Sequence, residues 1–118
     1  MHNYILSGHT AIAAPDFLSW AAWFETADRI VSKTRVGDAL VSTVFLGLDH
    51  NFSTGGDPLL FETLVFLDDD GSTGAMRRYF IWAEAEAGHA DLVAELRAEM
   101  AIAEGNVKAA LERIGAIP

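Results

Sequence analysis

The segment Leu59-Leu60-Phe61-Glu62-Thr63-Leu64-Val65-Phe66 constrains this chain more than any other stretch. Its aromatic and β-branched content predicts a strand, whose side chains alternate between two faces. Leu59, Phe61, Thr63 and Val65 then share one face, and Leu60, Glu62, Leu64 and Phe66 the other. Both faces are largely apolar, unlike a sheet with one side in water. Either helices cover both faces, or a second copy of the chain covers one. A homodimer is the expectation, because a 12.8 kDa chain with 51% hydrophobic residues has limited interior to hide them in.

Glu62 sits in the middle of that strand. A buried, unpaired carboxylate is costly, so Glu62 requires a cation, a hydrogen-bond donor or a proton. The candidates are Arg77 or Arg78 on the next strand, and His50 or His89. A structural ion pair or a solvent-facing edge position would explain the residue without any function; ligand binding or catalysis is the sharper alternative.

The remaining periodicities build an α+β chain around this strand. Asn3–Leu6 is extended, and Ser7-Gly8-His9-Thr10 is turn-like. Pro15-Asp16 opens a helix predicted to about Asp28, with Phe17, Trp20, Ala21, Phe24 and Ala27 on one apolar stripe. Residues 29–36 and 39–48 read as two strands joined at Gly37-Asp38. The third strand is 59–66 and a fourth is predicted over 76–81. Short loops between consecutive strands imply antiparallel pairing. A long helix follows from Trp82 to Glu104, striped by Trp82, Ala85, His89, Leu92, Val93, Leu96 and Met100. Gly105 and Asn106 are predicted to break it before a short last helix from Val107 to about Ile114. Residues 1–118 are expected to form a single domain, since no linker or repeat divides them.

Composition removes several function classes. With no cysteine, the chain has no disulfide, thiolate metal site or cysteine nucleophile. A net charge of −9 argues against direct nucleic-acid binding, which needs a basic footprint. No apolar run reaches the roughly 18 residues of a membrane span. The first basic residue is Arg29, so the N-terminus lacks the charge pattern of a secretory signal, and a cytoplasmic location is expected.

The polar candidates are few. His89 lies on the apolar stripe of the long helix, with Glu86 three residues earlier. That Glu-x-x-His spacing occurs in carboxylate-bridged metal sites, but such sites need further pairs that this sequence lacks, so a satisfied interior histidine is the plainer reading. No metal or cofactor is expected. Asp49-His50 ends the second long strand, where solvent exposure competes with hydrogen-bond recognition or proton transfer. Ser53-Thr54-Gly55-Gly56 has no following Lys-Ser/Thr, which a phosphate loop requires. Asp68-Asp69-Asp70-Gly71 does not place glycine or glutamate where a calcium loop needs them, and reads as a solvated hairpin loop. The long helix carries six acids, Glu95 and Glu99 among them, against the single base Arg97. Such a face is either ordinary soluble surface or a complement to a basic partner, such as the nucleic-acid groove of another protein.

The segments Trp23-Phe24-Glu25, Val41 to His50 (VSTVFLGLDH), Leu60-Phe61-Glu62-Thr63, Arg78-Tyr79, Trp82 and Gly88-His89 together resemble a group of small phage and prophage proteins. The resemblance spans most of residues 17 to 92, with Ser42 to His50 its most specific part, and departs at the acidic loop from Leu67 to Ala75. It implies expression in a bacterial cytoplasm and, by analogy, action by occupying a host molecule. Three functions follow as expectations. The first is a non-catalytic binder of a host protein, such as an anti-CRISPR-type inhibitor of a nuclease-based defence. The second is a small-ligand or metal-dependent site built from Asp49, His50, Glu62, Arg78 and His89. The third is a virion or assembly accessory.

Overall fold

A computed structural model describes residues 2–53, 55–67 and 71–116. In chain order the elements are β1 (Tyr4–Ser7), β2 (Thr10–Ala13), α1 (Phe17–Thr26), β3 (Ile30–Val36), β4 (Ala39–Phe45), β5 (Phe61–Phe66), β6 (Thr73–Tyr79) and α2 (Trp82–Arg113). The fold is α+β. Strands β3-β4-β5-β6 form an antiparallel sheet in sequence order, and β1-β2 is a separate hairpin.

Several expected boundaries move. The turn at Gly8-His9 continues into β2, a strand too short and too small in its side chains to announce itself by alternation. α1 begins after Pro15, because the Asp16 carboxylate accepts bonds from the Ser19 amide (2.7 Å) and hydroxyl (3.1 Å) and so becomes the N-cap. Phe17 stays 65% exposed, and the half-buried face of α1 is made by Trp20, Trp23 and Phe24. Trp23 meets Phe45 edge-on, and the Trp20 indole donates to the Gly47 carbonyl at 3.1 Å. β6 lies about three residues earlier than predicted. Phe80 and Ile81 leave the sheet because the Glu84 carboxylate accepts from both of their amides, which starts α2 at Trp82. The loop expected at Asp68-Asp69-Asp70 lies outside the described residues.

α2 packs on one face of the sheet. Leu92 and Val93 join Val36, Ala39, Val41 and Val65 in one core cluster, extended by Leu96 and Met100. Ala85 joins Phe45, Leu60 and Phe61 in a second, closed at its edge by Tyr4, Leu6, Trp23 and Trp82. Such burial contributes about 25 cal/mol per Å² of apolar surface and holds the helix to the sheet.

The predicted break in the long helix does not occur: α2 runs unbroken through Gly105 and Asn106. A terminating glycine must adopt positive φ, and Gly105 does not, whereas Gly115 does at +74°. There the Ala116 amide donates to the Leu111 carbonyl (2.9 Å) and the Gly115 amide to that of Glu112 (3.1 Å), the bond pair of a Schellman stop. A mid-helix glycine costs about 1 kcal/mol against alanine, too little to break a run of good helix formers.

Candidate functional site

The expected polar cluster divides between the two faces of the sheet. Glu62 pairs in register with Val44 and Arg78, which places all three on the face away from α2. The Arg78 Nε donates to Glu62 Oε2 at 3.0 Å, so Arg78 is the counter-group that the strand required. The Glu62 side chain is only 16% exposed and that of Arg78 30%, and Val44, Leu64 and Met76 stand beside them on this face.

His89 is on the opposite side, 5% exposed between α2 and the sheet. Its Nδ1 lies 2.7 Å from the Thr43 hydroxyl and its Nε2 2.8 Å from that of Thr34. Thr43 and Thr63 hydroxyls are 2.5 Å apart, and the Tyr79 hydroxyl donates to Thr63 at 3.1 Å. Two proton orders satisfy every contact: Tyr79 donates to Thr63 in both, and the ring either accepts from Thr43 at Nδ1 and donates from Nε2 to Thr34, or donates from Nδ1 to Thr43 and accepts from Thr34 at Nε2. Both orders use a neutral imidazole, and burial pushes the His89 pKa below its ordinary value. No buried side-chain polar atom lacks a partner among the described residues. Gly88 belongs to the same arrangement. A Cβ there would lie 2.2 Å from the Tyr79 ring, so glycine lets the ring lie on the helix backbone and reach Thr63.

Glu62 and His89 therefore share no pocket, and the five-residue site expected from Asp49, His50, Glu62, Arg78 and His89 is not assembled. Sequence alternation places Glu62 on one face and Thr63 on the other, but it does not say under which face the helix lies. Asp49 is occupied in its loop, where one carboxylate oxygen accepts from the Asn51 amide (2.7 Å) and the Leu59 amide (3.0 Å). His50 Nδ1 donates to the Leu48 carbonyl at 2.8 Å. Glu86 accepts from the Trp82 indole. Among the described residues no group of three or more His, Asp or Glu could hold a metal ion. On the flank of α2, Glu95 is bound to Arg77 at 2.6 Å, and Glu99 stands exposed.

What the structure leaves open is the sheet face that carries Glu62. Its three rows, read across the strands, are Arg35-Leu40-Phe66, Lys33-Ser42-Leu64-Met76 and Ile30-Val44-Glu62-Arg78. Phe66 and Met76 are 36% and 51% exposed. Among the described residues no helix packs over this face, since α2 lies against the other one and α1 against the β1 hairpin and the sheet end. Among the described residues of these three rows the ionic groups are Lys33, Arg35 and Arg78 against Glu62, on a chain of net charge −9. A contiguous apolar patch with a charged rim is the usual form of a protein-binding surface.

A second feature was not legible in the sequence. The β1-β2 hairpin, the loop before β5 and the start of α2 enclose a cleft of about 640 Å³, lined among others by Tyr4, His9, Asp57, Phe80 and Trp82. His9 stacks on Trp82 with ring centres 3.8 Å apart and planes 5° apart. These residues are distant in sequence and carry no shared motif; the aromatic run Tyr79-Phe80-Ile81-Trp82 was the only signal. Among the described residues no helix is long and apolar enough to cross a membrane. No known protein family, curated protein or solved structure matches the chain.

Proposed function

We propose that this chain is a non-catalytic binding protein of phage or prophage type that occupies a host protein, in the manner of an inhibitor of a host-defence complex. The observation that carries this reading is the uncovered sheet face. Among the described residues no helix covers Leu40, Val44, Leu64, Phe66 and Met76 on that side, while Glu62 is bound to Arg78, His89 to Thr43 and Asp49 to backbone amides. Burial of such a face in a partner is favourable, and Lys33 and Arg35 at its edge favour a partner with an acidic rim. The acidic flank of α2 contributes less than its composition suggests, since Glu95 already holds Arg77.

The test is affinity purification of the tagged chain from its host, in wild-type form and with Leu64→Glu plus Met76→Glu. A partner held by wild type and lost by the variant, with the melting temperature retained, supports the reading. A partner that both forms retain, but that is lost on Glu95→Lys plus Glu99→Lys and weakens steeply with salt, moves the surface to α2. The aromatic cleft favours a second reading, retention of a small planar molecule. A ligand that raises the melting temperature and quenches Trp82 fluorescence would support it.

A further inference from the structure

The face of α2 that packs on the sheet does not end where the sheet ends. Leu96 and Met100 are its last side chains against the core cluster, yet the helix continues to Arg113, about 20 Å further at 1.5 Å per residue. Val107 follows His89 by about five whole turns, so it points along the line that His89 takes into the core. Ala103, Ala110, Leu111 and Ile114 flank that line and prolong the buried stripe of Ala85, His89, Leu92 and Val93. Val107 is nevertheless 59% exposed and Ile114 76%. The projection also sets the shape of the molecule. The radius of gyration is 19.0 Å and the extents are 67 × 29 × 23 Å, whereas a compact chain of this length has a radius of about 13.5 Å.

We propose that residues 101–114 are the dimerisation helix of this protein. Two copies associate by antiparallel pairing of these segments about a twofold axis near residue 106. The second copy's helix then lies beneath the first where the sheet lies beneath residues 82–100. Helix pairs pack at 8–10 Å and sheets at about 10 Å, so the substitution keeps the layer spacing. Charge selects the direction. Glu99 and Arg113 edge the stripe on one side, and neither makes an ion pair among the described residues. In the antiparallel register Glu99 of each copy stands beside Arg113 of the other. In a parallel pair Glu99 would face Glu104 of the second copy, and the like charges would repel. The interface is isologous and leaves the open sheet face free, so it does not rest on the proposed function and would make that function bivalent.

The experiment is sedimentation equilibrium of the full chain over a wide concentration range. The wild type is expected to reach twice 12.8 kDa with a micromolar dissociation constant, because so small an interface lies at the weak end of specific ones. Val107→Glu plus Leu111→Glu is expected to remain monomeric throughout, with an unchanged melting temperature at low concentration, since these side chains lie outside the core. Glu99→Arg and Arg113→Glu should each weaken the dimer about fivefold, and their combination should restore it. A wild type still monomeric at ~1 mM overturns the proposal. So does a dimer that survives Val107→Glu plus Leu111→Glu but is abolished by Leu64→Glu, which would put the second copy on the sheet face. Charge reversals that fail to compensate overturn the antiparallel register. Failure to recover a host partner bears on none of these outcomes.

Discussion

Gly88→Ala tests the packing around His89, because local and tertiary energetics oppose each other there. Helix propensity alone favours alanine by about 1 kcal/mol at an interior helical position. The Tyr79 ring reverses the sign: an added Cβ would meet its Cε1 at 2.2 Å and its Cζ and hydroxyl oxygen at 2.4 Å. Restoring an ordinary contact of 3.4 Å moves the ring by more than 1 Å. That displacement breaks the 3.1 Å bond to Thr63 and loosens the ring from the second core cluster. Overpacking costs about 1–3 kcal/mol and a lost hydrogen bond about 1 kcal/mol, so the net expectation is a loss of about 1–3 kcal/mol. The assay is urea unfolding of four proteins: wild type, Gly88→Ala, Tyr79→Ala and the double variant. In the Tyr79→Ala background the obstacle is gone, and Gly88→Ala should stabilise by about 1 kcal/mol. Stabilisation by Gly88→Ala in the wild-type background would refute the account of Tyr79, and so would an identical effect in both backgrounds.

Three further outcomes are expected. His89 is held below its ordinary value of 6.5 in the folded chain, so the unfolded chain binds the extra proton first. Stability from this group is complete above about pH 6.5 and falls as the pH drops below it, by at most about 1.4 kcal/mol per pH unit; unfolding midpoints from pH 8 to 5 will show the slope, which should flatten in His89→Gln. Thr43→Val removes the hydroxyl that bonds both His89 Nδ1 and Thr63 at a fully buried position, and should cost about 1–3 kcal/mol in chemical denaturation. Arg78→Met strands the Glu62 carboxylate on the apolar sheet face and should cost about 1–2 kcal/mol, whereas Glu62→Leu with Arg78→Met should return close to wild type in a double-mutant cycle.

Local pattern was enough for the α+β class, for four antiparallel strands in the middle of the chain, and for a half-buried carboxylate in β5 that needs a counter-group. Those features depend on alternation, on charge burial and on turn residues, all of which act over a few residues. The identity of that counter-group was narrowed to four residues, and the register of β5 against β6 selected Arg78. The α2 stripe likewise marked His89 as interior.

Other features were decided between elements. Which face of the sheet α2 covers is a packing outcome, and it separates Glu62 from His89 although both are legible as polar residues in apolar surroundings. Thr34, Thr43, Thr63 and Tyr79 become one hydrogen-bonded chain only once four strands stand side by side. Gly105 shows the reverse case. A glycine followed by asparagine is a local stop signal, but glycine only permits positive φ and does not impose it, and here the helix continues past the end of the sheet. Sequence determined which residues must be sheltered from water. The tertiary arrangement decided which of them this chain shelters by itself, because burial is a property of the surface that lies opposite.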